Sequence, residues 1–406
     1  MAGGSSGSGG SPAAGAGGGD PAPSGQEDSG LDCNASAASG PNGASATTLP
    51  DPFTKWDGTQ VKTLAEWRCR RRELVLEVEQ RILGPKAPPP STIGGTVGGS
   101  VSNTMYSVQV DNPGGKTSFN GTITLPSSGS APYPAVVIIG GINSLNADVL
   151  SSEGVATLSY DNNAIAPETA GNYSSGKYFD ANPDYKGKTG ALVAWAWGVS
   201  RILDMLEKNP GTIDPKRIAV HGCSRLGKAA FVIGAFDERI ALGLPLEPGT
   251  GGPAPLRALP SLGGQSVSSA NGEAAWFGPP SRNYSTSAAA ADMSDVAVMY
   301  APRGLLLMDN AHIAHLSYKA NYLGMAAANK VYEAMGSDGL WYLGSSGNGN
   351  HCAVRNEYGA ALRAMIKKFL KGDAAAETGG LQTHANHGNV DVASWTKNFK
   401  SGAISP

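Results

Sequence analysis

Short apolar runs alternate with helical patterns through most of the chain beyond residue 46. Residues 135–139 and 155–160 are apolar runs bounded by glycine or polar residues, which predicts two buried parallel strands. Apolar side chains then recur every three or four positions over 192–206, and Asn209-Pro210-Gly211 ends that pattern, so we predict an amphipathic helix. Residues 217–220 predict the next strand, which leads into a glycine-bounded turn.

The second half of the chain repeats this alternation. Residues 304–308 and 340–343 predict two further strands, and 362–370 predicts a helix with one apolar face. Residues 106–125 alternate instead between apolar and polar side chains and contain glycine and proline turns, which predicts antiparallel strands at the edge of the sheet. Repeated β-α units predict an α/β fold, a mostly parallel sheet covered by helices on both faces.

The first 46 residues differ in composition from the rest of the 406-residue chain. They are rich in glycine, serine, alanine and proline and have hardly any large apolar side chains, so they bury too little surface to offset the entropy of ordering. We therefore predict a disordered linker over 1–46 and one folded domain over 47–406.

Charge and hydropathy exclude several classes of function. The formal net charge is −2 and no basic stripe appears, which argues against nucleic-acid binding. No apolar run reaches the roughly 18 residues that a membrane-spanning helix needs. The N terminus has no charged start followed by an apolar core, so no signal peptide is recognisable there. Four cysteines nevertheless favour an oxidising compartment, and we expect a secreted or cell-surface protein.

Candidate chemistry lies first in the turn after the strand 217–220. The segment 220–228 reads Val-His-Gly-Cys-Ser-Arg-Leu-Gly-Lys, so Ser224 stands between a predicted strand and a small-residue run that opens a helix. A strand, a sharp turn and a helix expose a serine hydroxyl for nucleophilic attack. The pattern Gly-x-Ser-x-x-Gly is weak by itself because short patterns match freely. Arg225 follows the serine and places a guanidinium beside a developing oxyanion.

A nucleophilic serine needs a base, and His351 has the most suitable position of the six histidines. It lies in the segment 347–352, Gly-Asn-Gly-Asn-His-Cys, on a loop after the last long predicted strand. Two other histidines lie in a polar segment near the C terminus. The acid that orients the imidazole is expected between serine and histidine, which leaves Glu247 and Asp309, each after a predicted strand. The sequence pattern does not choose between these two carboxylates.

The four cysteines divide into two pairs. Cys223 immediately precedes the candidate serine and Cys352 immediately follows the candidate histidine, so a serine and an imidazole within hydrogen-bonding distance also bring these two sulfurs within reach of a bridge. Cys33 and Cys69 remain, and we predict that their disulfide fastens the start of the domain. The alternative is four reduced, buried thiols.

These residues resemble one known family, the glucuronoyl esterases of carbohydrate esterase family fifteen. The segment 222–228, Gly-Cys-Ser-Arg-Leu-Gly-Lys, is similar to the family signature Gly-Cys-Ser-Arg-x-Gly-Lys, which is far more specific than a generic nucleophile turn. The similarity covers nearly everything after the linker. It includes the segments 49–53, 83–86, 194–201, 237–242, 301–304 and 351–352.

The resemblance implies a catalytic domain of the α/β-hydrolase fold over 47–406. It also implies cleavage of the ester between 4-O-methyl-glucuronic acid on xylan and the alcohols of lignin, with no metal or organic cofactor. The partners are then glucuronoxylan and lignin–carbohydrate esters, and we expect a monomer. The roles that carry over are Ser224 as nucleophile, His351 as base, Glu247 as acid, Arg225 as oxyanion donor, and Lys228, Gln265 and Glu273 as contacts to the sugar hydroxyls.

The chain departs from the family pattern at two places. Relatives have a tryptophan that covers the uronate in a stretch like Asp-Asn-x-His-Ile-x-Trp-Leu, whereas this chain has His315 at that position. The resemblance thus places His315 at the substrate, without an indole face for stacking. Many relatives also have Cys-Trp after the Gly-Gly pair, whereas 252–257 reads Gly-Pro-Ala-Pro-Leu-Arg, so one cysteine of a third bridge is missing together with its partner.

Several alternatives stay open at this point. The sequence is also compatible with an acetyl xylan esterase, with another carbohydrate esterase and with a non-catalytic carbohydrate-binding relative. Asp309 remains the alternative acid. His312 and His315 form a candidate metal-binding pair, but no nearby cysteine or paired carboxylate completes a ligand set, so we predict no metal site.

Overall fold

The computed structural model describes residues 25–40, 43–100, 103–345 and 350–406. Ten strands lie within these residues: β1 (Thr92–Ser100), β2 (Asn103–Asn112), β3 (Gly115–Thr124), β4 (Tyr133–Ile139), β5 (Ala156–Tyr160), β6 (Ile213–Cys223), β7 (Ile240–Leu246), β8 (Gly304–Asn310), β9 (Leu340–Ser345) and β10 (Leu381–Gln382). They form one sheet in the order β1-β2-β3-β5-β4-β6-β7-β8-β9-β10.

The sheet is antiparallel at one edge and parallel over the rest. β1, β2 and β3 pair antiparallel, and β3 pairs antiparallel with β5. From β5 to β10 every neighbouring pair is parallel. The alternating segment 106–125 therefore lies in β2 and β3, as predicted. Because the long parallel strands all point the same way, the residues that follow them meet at the carboxyl ends of the strands.

Helices connect these strands. They are α1 (Leu64–Val78), α2 (Ala147–Ser152), α3 (Asn162–Ile165), α4 (Lys177–Ala181), α5 (Ala191–Lys208), α6 (Arg225–Phe236), α7 (Leu259–Leu262), α8 (Val267–Glu273), α9 (Met293–Val298), α10 (Tyr318–Ala334), α11 (Glu357–Met365) and α12 (Val392–Trp395). Single π-helical turns, Glu79–Leu83 and Ile366–Leu370, extend α1 and α11. Among the described helices, none is both long and apolar enough to cross a bilayer.

Each face of the sheet has its own apolar core. Along β4, Val137 and Ile139 belong to one core and Val136 and Ile138 to the other, because successive side chains of a strand point to opposite faces. The larger core includes residues of α1, α5, α6, α9 and α10, and the smaller core includes residues of α2 and α11. The predicted α/β class is thus confirmed, with helices on both faces.

The start of the chain corrects one boundary of the prediction. The composition predicts a disordered linker over 1–46, yet within it Glu27 forms ion pairs with Lys86 and Arg201, and the Lys86 Nζ to Glu27 Oε1 distance is 2.5 Å. The disulfide between Cys33 and Cys69, as predicted, ties the same segment to α1. The segment 25–40 therefore packs on the domain, whereas 1–24 and 41–42 lie outside the described residues. Local composition missed this because the partners lie far away in sequence.

Removal of the Glu27 carboxylate tests how much this segment stabilises the domain. Arg201 has no exposed surface, so Glu27→Ala leaves a buried guanidinium without one of its anions. Breaking a buried pair from one side costs about 3 kcal/mol, and we expect the free energy of unfolding in guanidinium chloride to fall by that amount. Asp32→Ala is the control, because its carboxylate pairs with Arg68 while 69% exposed; it should change stability by less than about 1 kcal/mol. Equal, small effects would contradict the structural role of the segment.

Candidate active site

Ser224 occupies a strained turn between β6 and α6. Its backbone has φ 60° and ψ −127°, a region that residues with a Cβ rarely adopt, and its N–H donates to the Leu246 carbonyl at 2.9 Å. Glycines on both sides make the turn possible. A Cβ on Gly222 would lie 2.3 Å from the Leu226 oxygen, and one on Gly227 would lie 2.4 Å from the Leu246 oxygen. The spacing Gly-x-Ser-x-x-Gly thus has a steric cause in this fold.

Glu247 follows β7 directly and is completely buried. Its Oε2 accepts a hydrogen bond from His351 Nδ1 at 2.5 Å and another from the Cys352 N–H at 2.9 Å. Its Oε1 accepts from Asn310 Nδ2 at 3.2 Å, and Arg355 Nη2 lies 3.6 Å away. A carboxylate that accepts from Nδ1 fixes the orientation of an imidazole and directs Nε2 outward. Of the two candidate acids, Glu247 is therefore the one that contacts His351.

A disulfide joins the turn to the histidine loop. Cys223 and Cys352 are bonded, with their Cα atoms 5.7 Å apart across 129 positions of sequence. The bridge therefore ties the residue before Ser224 to the residue after His351, as the sequence predicts. Residues 347–349 of the predicted histidine segment lie outside the described residues.

The donor atoms around this bridge do not fit a metal ion. One donor atom each from Cys223, Glu247, His351 and Cys352 lies within 4.8 Å of the others. Both sulfurs are used in the disulfide, and metals bind the thiolate form of cysteine. The imidazole and the carboxylate are hydrogen-bonded to each other. These residues therefore hold His351 in position and do not form a set of metal ligands.

Arg225 begins α6 beside the serine and is half exposed. Its Nε donates to Glu168 Oε2 at 2.8 Å, and the other oxygen of Glu168 accepts from Trp276 Nε1 at 2.9 Å. The carboxylate of Glu168 therefore holds the guanidinium close to the turn. No local sequence pattern predicts the roles of Glu168 and Trp276, because these roles depend on contacts with residues far away in sequence.

Lys228 lies one helical turn after the serine and is almost fully buried. Its Nζ donates to the Pro248 carbonyl at 2.5 Å and lies 5.0 Å from the centre of the Trp276 ring. Burial lowers the pKa of Lys228 to about 8, although the negative charges of Glu273 and Glu168 act in the opposite direction. The Lys228 amine is therefore buried beside the Trp276 ring, and the charges of Glu273 and Glu168 favour its protonated form.

Gln265, Glu273 and His315 lie next to one another. Gln265 Nε2 donates to Glu273 Oε2 at 2.6 Å, and the Gln265 N–H donates to the His315 carbonyl at 3.2 Å. Gln265 is buried, whereas the side chains of Glu273 and His315 are exposed. The fold therefore brings Gln265, Glu273 and the backbone of His315 together, and the charge of Glu273 acts on Lys228. His312 instead packs against His384, with ring centres 4.9 Å apart.

Asp309 and Glu247 both accept a hydrogen bond from Asn310, but the other partners of Asp309 differ. Its carboxylate accepts hydrogen bonds from Asn321 Nδ2 at 3.1 Å and from Tyr342 Oη at 3.0 Å. Tyr342 Oη also lies 2.6 Å from Nε2 of His387, which is buried although it belongs to the polar segment near the C terminus. Burial raises the pKa of Asp309 to about 6, and the charge of Glu247 adds to this effect. Asp309 thus belongs to a network behind the acid that binds His351.

The raised pKa of Asp309 predicts a pH-dependent contribution to stability. A carboxyl group that keeps its proton up to about pH 6 when folded, but only to about pH 4 when unfolded, stabilises the fold fully at low pH and loses that contribution as pH rises through 6. Asp309→Asn removes this titration, so the fall in unfolding free energy between pH 4 and pH 7 should shrink by about 2 kcal/mol.

Denaturant titrations at both pH values measure the difference. The exposed Asp184 supplies the matched control, changed to asparagine in the same way. An unchanged pH dependence in Asp309→Asn would contradict a protonated, buried carboxyl group at this position.

One protein family recurs among the known proteins that resemble this chain. The family described as glucuronyl esterase of fungi matches residues 108–336, more than half of the chain. A 4-O-methyl-glucuronoyl methylesterase of Podospora anserina is 35% identical over 363 residues, which are 86% of this chain and 74% of the relative. A 4-O-methyl-glucuronoyl methylesterase of Hypocrea jecorina is 38% identical over 336 residues, 80% of this chain and 70% of the relative.

Solved structures share the fold. The catalytic domain of glucuronoyl esterase from Hypocrea jecorina matches with a TM-score of 0.77 and 34% identity, over 89% of this chain and 98% of that domain. A serine-to-alanine variant of the Sporotrichum thermophile enzyme, in complex with methyl 4-O-methyl-β-D-glucopyranuronate, matches with a TM-score of 0.79 and 31% identity, over 89% and 97%. The predicted α/β-hydrolase fold is confirmed, and the chain belongs to the glucuronoyl esterase family.

Proposed function

We propose that this protein is a serine esterase that hydrolyses the 4-O-methyl-glucuronoyl esters joining xylan to lignin alcohols. The observation that carries the proposal is the hydrogen bond from His351 to the buried Glu247, beside a disulfide that tethers the histidine loop to the turn of Ser224. The names of relatives at 35% and 38% identity support the uronate ester as substrate. The complex of the Sporotrichum relative with a methyl glucuronate supports it as well.

In the first half of the reaction Ser224 attacks the ester. Nε2 of His351 takes the proton from the serine hydroxyl while the oxygen adds to the carbonyl carbon, and Glu247 stabilises the imidazolium that forms. The negative charge moves to the carbonyl oxygen, where the Arg225 guanidinium and backbone N–H groups stabilise it. When the tetrahedral intermediate collapses, His351 gives the proton to the leaving alcohol. The product is an ester between the uronic acid and Ser224.

In the second half water repeats the attack. His351 removes a proton from water, the hydroxide adds to the acyl carbon, and the serine leaves with that proton. The uronic acid leaves the site and then gives its carboxyl proton to bulk water, so the final product is the free carboxylate. Each proton moves to or from the imidazole nitrogen that Glu247 does not occupy, so the chain needs no further acid or base for either step.

Four side chains bind the sugar in this proposal. Lys228, Gln265 and Glu273 offer an ammonium, an amide and a carboxylate within one connected group, which suits hydroxyls that both donate and accept hydrogen bonds. His315 contributes an exposed imidazole at the rim. The protein acts outside the cell, and its two disulfides support that location because such bonds persist in oxidising compartments.

Loss of the serine hydroxyl is the most direct test. Ser224→Ala should lower kcat for methyl and benzyl esters of 4-O-methyl-glucuronate by about 10⁴-fold or more, because no nucleophile remains to form the acyl-enzyme. The rate is measured as the alcohol released, quantified by chromatography, in reactions that contain no added metal. Ser401→Ala, an exposed serine near the C terminus, should retain wild-type activity. Retained activity in Ser224→Ala, or turnover of acetylated xylan in preference to glucuronate esters, would overturn the proposal.

The two carboxylates are distinguished by their amide variants. Glu247→Gln keeps the shape of the side chain but removes the charge that stabilises the imidazolium, so kcat should fall by about 10²- to 10⁴-fold. Asp309→Asn should lower kcat by less than about tenfold, since Asp309 contacts Asn321 and Tyr342 instead. Comparable losses in the two variants would show that both carboxylates act on His351.

A further inference from the structure

A second groove adjoins the candidate sugar site. It has a volume of about 670 Å³ and lies between the chain at 170–171 and helix α8. The residues that characterise it are Gly171, Ser268, Asn271, Gly272, Arg282 and Tyr284. Its volume falls within the range of roughly 300–1,000 Å³ that small-molecule sites occupy, which leaves room for a short oligosaccharide. We call it the α8 groove.

Both walls of the α8 groove continue from walls of the candidate site. On one side, Glu168, which holds Arg225, precedes Ala170 by two residues. On the other side, Glu273, which accepts from Gln265, directly follows Gly272. A sugar bound at Glu273 therefore has the groove as its neighbour along α8, and the segment that holds Arg225 leads into the opposite wall.

The lining of the groove suits a neutral, polyhydroxylated chain. Asn271 presents an amide whose oxygen accepts from Ser281 Oγ at 2.9 Å, and Ser268 adds a hydroxyl. The exposed guanidinium of Arg282 lies 5.9 Å from the centre of the Tyr173 ring and close to Gly171, so it reaches across to the opposite wall. Among the described residues that line the groove, none is acidic. Hydroxyl, amide and guanidinium groups hydrogen-bond to sugar hydroxyls, whereas an aryl alcohol offers few such partners.

We propose that the α8 groove binds the xylan main chain next to the xylose that carries the glucuronoyl group. This inference rests on the proposed function, because it takes Lys228, Gln265 and Glu273 as the contacts to the uronate. α8 carries Glu273 on the sugar side of the site, so the groove extends from the sugar rather than from the alcohol of the ester. The enzyme then recognises the polymer by its main chain as well as by its acidic branch.

Filling the groove separates this contact from the chemistry. Gly272 lies on α8, and a Cβ there would have no other atom within 4 Å, so Gly272→Trp adds a bulky side chain to open space without backbone strain. With a methyl glucuronoyl ester carried on xylotriose, kcat/KM should fall about tenfold, mainly through KM. With methyl 4-O-methyl-glucuronate, which has no main chain, kcat/KM should stay unchanged.

Two further variants secure the result. Gly211→Trp is the matched control, because Gly211 also faces open space but lies before the start of β6, at the end of the sheet away from Ser224. This variant should leave kcat/KM unchanged for both substrates. Arg282→Ala adds no bulk and should lower kcat/KM about threefold, and only for the xylotriose ester, as expected for one lost hydrogen bond. Equal losses on both substrates, no loss on either, or an effect that follows alcohol size in methyl and benzyl esters would overturn the inference.

Binding without turnover distinguishes this inference from the proposed function. Calorimetric titration with xylotetraose should show binding to the wild-type protein and at least fivefold weaker binding to Gly272→Trp. If xylotetraose binds in this way but no glucuronate ester is hydrolysed, the proposed function fails while the groove assignment stands. If glucuronate esters are hydrolysed but xylotetraose binds equally to both proteins, or to neither, the groove assignment fails.

Discussion

The arrangement of the site depends on one buried carboxylate. Glu247 has no exposed surface, and a charge removed from water is tolerated only where donors surround it. Its donors come from separate parts of the chain: Asn310 ends β8, while His351 and Cys352 belong to the loop before α11. The carboxylate therefore requires β7, β8 and this loop to assemble correctly, and the same contacts set the position of the imidazole.

The parallel strands of the sheet bring the residues of the site together at their carboxyl ends. Ser224 follows β6, Glu247 follows β7 and Asn310 ends β8, so neighbouring strands deliver their functional residues side by side. The first turn of α6 then adds Arg225 and Lys228, one next to the serine and the other a turn further along. Closely packed glycines hold the helix against the sheet, so these side chains start from a rigid backbone.

Features with local causes were predictable from the sequence. The period of apolar residues gave α5 within a few positions, and the steric need for Gly222 and Gly227 marked the serine turn. Choices that depend on distant contacts were not. Glu247 follows β7 and Asp309 lies near the end of β8, so the strand pattern does not choose between them. The family resemblance favours Glu247, and the hydrogen bond to His351 agrees with it.

The same dependence on distant contacts explains why the sequence did not predict the roles of Glu168, Trp276 and residues 25–40. Glu168 and Trp276 lie in segments without any motif, and they act on residues of α6 only because the fold brings these segments together. Residues 25–40 look like linker in composition, yet a few charged side chains find buried partners on α1 and α5. In each case the relevant energy lies in a pairing that no window of neighbouring residues contains.

The bond between Cys223 and Cys352 makes the attachment of the histidine loop depend on redox conditions. In a reducing cytosol the two cysteines stay as thiols, and the histidine loop lacks its covalent attachment to the strand that precedes the serine. The hydrogen bonds that Glu247 accepts from His351 and from the Cys352 N–H then hold the loop without a covalent tether.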